Sequence, residues 1–196
     1  MSIRAVAIFD YHEEEPRDTA RIATRLAWAL PEAMAVRAHW CEVEKPSRVR
    51  RKNTVGKLEL LADRGWVLTS KPEETPLRYR GPGGLSVWLN RRVGEIHTNC
   101  RWRGFLTIDR LRMVHVSFFH RIANVLKAKT LVIMRNDSKA HDLVWGGAPF
   151  EDAVVELEKE YGPPQPSVER ISGNLGESAH GNIPQGWFLE DVVYPK

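Results

Sequence analysis

The alternation of apolar and polar positions begins with "IRAVAIFD", Ile3 to Asp10, whose small and branched apolar residues predict a first buried strand. After the acidic "HEEE", Pro16 suits the first position of a helix, and Ile22, Leu26 and Trp28 to Leu30 recur at spacings of three and four, forming one apolar face. Pro31 ends or bends that helix. "AVRAHWCEV" predicts a strand, and the basic "KPSRVRRKN" a loop. Thr54 then caps a helix carrying Val55, Leu58 and Leu61, which Gly65 closes with a left-handed residue. "GWVLTS" predicts a short strand, and "KPEETPLRYRGPGG", dense in Pro, Gly and charge, predicts a loop.

In the second half, "LSVWLN" and "GEIHTNC" flank "RRV" in the pattern of a hairpin. Phe105 to Ile108 predicts a further strand, followed by a helix from Ser117 with Phe118, Phe119, Ile122 and Leu126 facing inward. "TLVIMR", Thr130 to Arg135, has the continuous apolar character of a buried strand. Pro149 opens a helix in which Phe150, Val154 and Leu157 share a face. Beyond Gly162, "PPQPS" interrupts regular structure, and the remainder predicts an arm that packs back through Trp187, Phe188 and Val192.

Strands and helices without regular βαβ alternation indicate an α+β fold, a mostly antiparallel sheet flanked by helices in a single domain. A doubly wound α/β fold is the alternative. The domain is expected over residues 1–162, with a Pro/Gly-rich C-terminal arm over 163–196. At 196 residues, 42% of them hydrophobic, the chain suits one ordinary globular domain. Its apolar runs all fall short of the ~18 residues a membrane helix needs. The N-terminus has too short an apolar core and too acidic a flank for a signal peptide, so a cytoplasmic protein without membrane contact is expected. Cys41 and Cys100 lack both zinc-site spacing and the density of a secreted disulfide scaffold, which leaves free thiols as the expectation.

Charge changes the picture, because the net +4 conceals a bipolar chain. Residues 41–135 carry 20 basic against 8 acidic side chains, and residues 136–196 carry 4 against 11. In the basic part, Arg48, Arg50, Arg51 and Lys52 cluster, and Arg78, Arg80, Arg91, Arg92, Arg101 and Arg103 recur near Tyr79, Trp88 and Trp102. That pattern can hold single-stranded nucleic acid by phosphate pairing and stacking; the competing reading is pairing of the arginines with the acidic third inside one fold.

Candidate chemistry is sparse. Gly146 and Gly147 precede a helix, as in a phosphate cradle, yet Glu151 and Asp152 follow and the next basic residue is Lys159, so the charge is wrong for an anion. "GPGG", Gly81 to Gly84, precedes a strand instead of a helix and reads as a turn. None of the seven histidines forms a His-Glu-x-x-His pair, no Gly-x-Ser-x-Gly elbow occurs, and no metal or cofactor is expected. Asp10 beside His12 and Glu13 to Glu15 is the candidate acid-base cluster of an enzyme reading. Glu151, Asp152, Glu156, Glu158 and Glu160 form a carboxylate array that is either a solvated helix face or a surface for a basic protein partner.

"GGLSVWLNRRVGEIH", the Ser117 helix followed by "TLVIMRND", and the closing "WGGAPFEDAV" appear in an order that resembles the immunity protein 52 family over residues 3 to 162. Members of that family stand beside polymorphic toxins with restriction-endonuclease-like nuclease domains, delivered by contact-dependent or type VI secretion systems. The basic pI near 9.2 departs from nuclease immunity proteins that mimic DNA by acidity. The resemblance implies a non-enzymatic protein that neutralises a cognate toxin by occluding its active site or assembly. It further implies Trp145 and Trp187 as interface anchors beside the carboxylate array, with a core role as the competing reading for each.

Overall fold

The computed structural model describes residues 3–12, 21–22, 25–26, 66–70, 75–81, 84–173, 175–176 and 183–192. The strand expected at "AVRAHWCEV", the basic loop after it, the Thr54 helix and Cys41 lie outside the described residues. In chain order the elements are β1 (Arg4–Asp10), β2 (Val67–Leu68), β3 (Leu77–Arg80), β4 (Ser86–Leu89), β5 (Val93–Arg101), α1 (Trp102–Thr107), α2 (Asp109–Val125), β6 (Thr130–Arg135), α3 (Lys139–Trp145), α4 (Phe150–Tyr161), α5 (Val168–Gly173), β7 (Leu175–Gly176), β8 (Ile183–Pro184) and β9 (Phe188–Asp191). Seven strands form one sheet in the order β2-β3-β4-β5-β1-β6-β9, with every neighbour antiparallel. This is the α+β architecture that the sequence pattern predicts.

Strand β1, flanked by β5 and β6, is buried on both faces, which is why its sequence shows no polar alternation. Ala5, Ala7 and Phe9 join Tyr79, Val87, Ile96, Leu131 and Ile133 against Trp102 and Phe105 of α1, Phe119 and Ile122 of α2, and Ile171 of α5. Ile22 and Leu26, helical and four residues apart, belong to the same core. On the opposite face Val6, Ile8, Val93, Val132 and Met134 pack beneath Ala140 and Val144 of α3 and Phe150, Ala153 and Leu157 of α4. Gly94 stands opposite Phe9 in the β1–β5 ladder, and the Phe9 ring occupies the space a Gly94 side chain would need.

Several local expectations are corrected. Phe105 to Ile108 is not a strand: Trp102, Phe105 and Leu106 recur at helical spacing and form the buried side of α1. The following helix starts at Asp109 instead of Ser117. The proposed loop "KPEETPLRYRGPGG" contains β3, where Leu77 and Tyr79 point inward and Arg78 and Arg80 outward, a period-two signal hidden by the flanking Pro and Gly. α3 and α5 occur where no helix is expected from the pattern. Among the described residues of the C-terminal segment, β9 extends the sheet beyond β6, and Trp187 and Val192 are buried.

Candidate functional site

The Gly146-Gly147 pair closes one helix, α3, instead of opening the next. Gly146 caps α3 in helical conformation and Gly147 has φ +91°. The Gly147 N–H donates to Val144 O at 3.0 Å and the Ala148 N–H to Leu143 O at 3.0 Å, the paired bonds of a Schellman ending. α4 then begins behind Pro149.

This ending turns the chain so that α3 and α4 lie as a hairpin over one sheet face. On α4, Glu151, Asp152 and Glu158 are exposed around Val155, which is 63% accessible. Glu156 and Glu160 lie on its less exposed flank: Glu156 meets Lys159 at 3.4 Å, and Glu160 accepts the Lys139 N–H at the start of α3 at 2.9 Å. On α3, Leu143 and Trp145 are 39% and 50% accessible. The predicted site residues therefore separate: Trp145, Glu151, Asp152 and Glu158 face solvent, while Glu156 and Glu160 serve local structure as well. Trp187 is corrected from interface anchor to core. It is 1% accessible within the α3–α4 core, and its indole N–H donates to Gly162 O at 2.8 Å.

Trp145 is also one wall of a cluster that the sequence pattern does not single out. Glu95 and His97 are two residues apart on β5 and point to the face beneath α3. His141 reaches down from α3, which Ser138 starts by accepting the His141 N–H. His141 Nε2 lies 2.8 Å from Glu95 Oε1, and His97 Nε2 lies 3.1 Å from Glu95 Oε2. Trp88, across the ladder from Glu95, places its ring 4.5 Å from that of His97 and 4.3 Å from that of Trp145. Asn90 ties the neighbouring turn to α3 by donating to Val144 O at 3.0 Å.

Burial disfavours the charge on Glu95, but the imidazoles of His141 and His97 outweigh it and hold the carboxyl below its ordinary value. Burial likewise opposes protonation of His141, and Glu95 reverses the balance, raising its pKa. The available signal in the sequence was Glu95-x-His97 on a strand, which puts both side chains on one face. His141, 44 residues further on, had no local pattern to announce it.

Of the other candidates, Glu13 to Glu15 and Arg48, Arg50, Arg51 and Lys52 lie outside the described residues, Arg91, Arg92, Arg101 and Arg103 are exposed, and several others have structural roles. Asp10 Oδ1 accepts the Lys129 and Thr130 N–H groups at 2.8 and 2.7 Å, which fixes the start of β6, and the exposed His12 is 3.9 Å away from Asp10 Oδ2. His115 contacts Leu111 O, whereas His120 meets Glu190 at 3.0 Å, so the two do not share a site. Tyr79 and Trp102 are buried and offer no stacking surface. Trp88 already has the Arg78 guanidinium 4.6 Å from its ring centroid. Cys100 is a free, buried thiol whose pKa burial pushes up to about 11. Among the described residues, no helix is long and apolar enough to cross a membrane.

Comparison of the chain with protein-family models, curated proteins and solved structures finds no match.

Proposed function

We propose that the protein is a binding protein of the immunity type, which neutralises a cognate secreted antibacterial toxin in the cytoplasm, with a restriction-endonuclease-like nuclease as the toxin. One observation carries the reading: the α3–α4 hairpin exposes Leu143, Trp145 and Val155 together with Glu151, Asp152 and Glu158. A half-exposed tryptophan on a rigid helix supplies apolar contact at low entropic cost. Carboxylates on the neighbouring helix match the basic DNA-binding face of a nuclease and steer its approach. Whole-molecule DNA mimicry is unnecessary, because the acidic charge is local while the net charge is +4.

The test is recovery of a stoichiometric protein partner by co-purification and, for a partner that cleaves DNA, inhibition of that cleavage, with association and dissociation rates measured in parallel. Trp145→Ala is expected to weaken binding about 30-fold, the ~2 kcal/mol of an interface anchor. Lysine at Glu151, Asp152 and Glu158 together is expected to slow association and flatten its salt dependence. Full cleavage in the presence of a stoichiometric excess of the protein would refute the reading.

A further inference from the structure

We infer that Glu95, His97 and His141 form a binding site for one divalent transition-metal ion of the zinc class, held between β5 and α3. Their ligand atoms lie within 4.8 Å of one another. Four-coordinate zinc with bonds of about 2.0–2.1 Å requires ligand atoms about 3.3 Å apart. His141 Nε2 lies 2.8 Å from Glu95 Oε1 and His97 Nε2 lies 3.1 Å from Glu95 Oε2, so the two imidazoles flank opposite oxygens of one carboxylate and a small rotation of that carboxylate would turn it toward a shared ion. Two imidazoles and a carboxylate are an accepted donor set for this ion class, and three protein ligands leave a position for water.

A purely hydrogen-bonded network is the competing account, and its geometry is poor. Glu95 Oε1, His97 Nε2 and His141 Nε2 are fully buried, yet none makes an aligned hydrogen bond. Short separations without alignment are what lone pairs directed at a common point produce, whereas an N–H donor would point along a carboxylate lone pair. Leaving three buried heteroatoms without aligned partners is costly, and one cation satisfies all three together. The surroundings are also suited to an ion. The Glu95 carboxylate contributes negative charge, and the rings of Trp88 and Trp145 limit water access beside the two histidines. The ion would fasten α3 to β5 and thereby fix the rotamer neighbourhood of Trp145.

The experiment uses the full chain, stripped with chelator and titrated with Zn2+ alone by calorimetry, with Co2+ as a spectroscopic substitute. One ion per chain is expected to bind with Kd below about 1 µM, and Co2+ is expected to show the visible bands of a low-symmetry, four-coordinate nitrogen and oxygen site. Glu95→Gln, nearly isosteric, and His97→Gln are each expected to weaken binding at least about 100-fold while the metal-free far-UV dichroism stays unchanged. His120→Gln, on the other face of the sheet, is expected to leave binding as it was. Absence of saturable Zn2+ uptake, or uptake indifferent to Glu95→Gln and His97→Gln alike, would overturn the site. No toxin enters this measurement, so its outcome is separate from that of the immunity reading.

Discussion

At the scale of single residues, the chemistry is concentrated in side chains that oppose their surroundings. Glu95 is 2% accessible and still favours its charged form, because two imidazoles stand against it. Its lowered pKa gives stability that is fully present above the ordinary value of 4.5 and lost as pH falls through the lowered one. The raised pKa of His141 works in the opposite direction: its contribution is complete below the ordinary 6.5 and disappears as pH rises through the raised value. In chelator, the urea midpoint is therefore expected to be higher at pH 5.5 than at pH 8.5, with Glu95→Gln reducing the difference. An equal dependence in wild type and variant would contradict the coupling.

At the scale of elements, two glycines show how one substitution acts through different physics. Gly147 has φ +91° with open space around its missing side chain. Gly147→Ala is expected to cost about 1–2 kcal/mol through backbone conformation alone. Gly94→Ala is expected to cost about 1–3 kcal/mol because the new methyl meets the Phe9 ring. Thermal or urea unfolding distinguishes the two. Pairing Gly94→Ala with Phe9→Leu should recover part of the loss, whereas Gly147→Ala should add to Phe9→Leu independently. Both glycines were visible in the sequence, but only Gly147 stood in a recognisable context, and that context suggested a phosphate cradle. The Val144, Leu143 and Ala148 backbone bonds assign it to the end of α3 instead.

At the scale of the molecule, the C-terminal segment is fastened by tryptophans. Trp187 anchors it to the end of α4, and the Trp102 indole donates to Pro184 O at 2.8 Å. The Arg112–Glu169 contact at 2.8 Å joins α2 to α5, and with Arg135–Asp137 at 2.7 Å it pairs arginines of the basic segment with carboxylates of the acidic third. Trp187→Ala is expected to lower global stability by about 3–5 kcal/mol, whereas Trp145→Ala loses only part of an exposed ring packing, roughly 1–2 kcal/mol. Equal losses in denaturant titration would mean that the two rings share one environment, contrary to their 1% and 50% accessibility.

The sequence by itself determined the strongest local signals: the apolar runs of β1 and β6, the hairpin of β4 and β5, the start of α4 at Pro149 and the α+β class. These depend on periodicity and on proline, properties a short window contains. It misled at Phe105 to Ile108 and at Leu77 to Arg80, where short elements are chosen by the core they cover and not by their own propensity. Only the tertiary structure decided which tryptophan is buried, and only it joined Glu95 and His97 to His141. That cluster exists because the sheet aims the β5 side chains beneath α3 and the Gly147 ending fixes where α3 stops. Contacts across 44 residues leave no period in the chain, so proximity created by folding is the part of the chemistry a linear pattern does not hold.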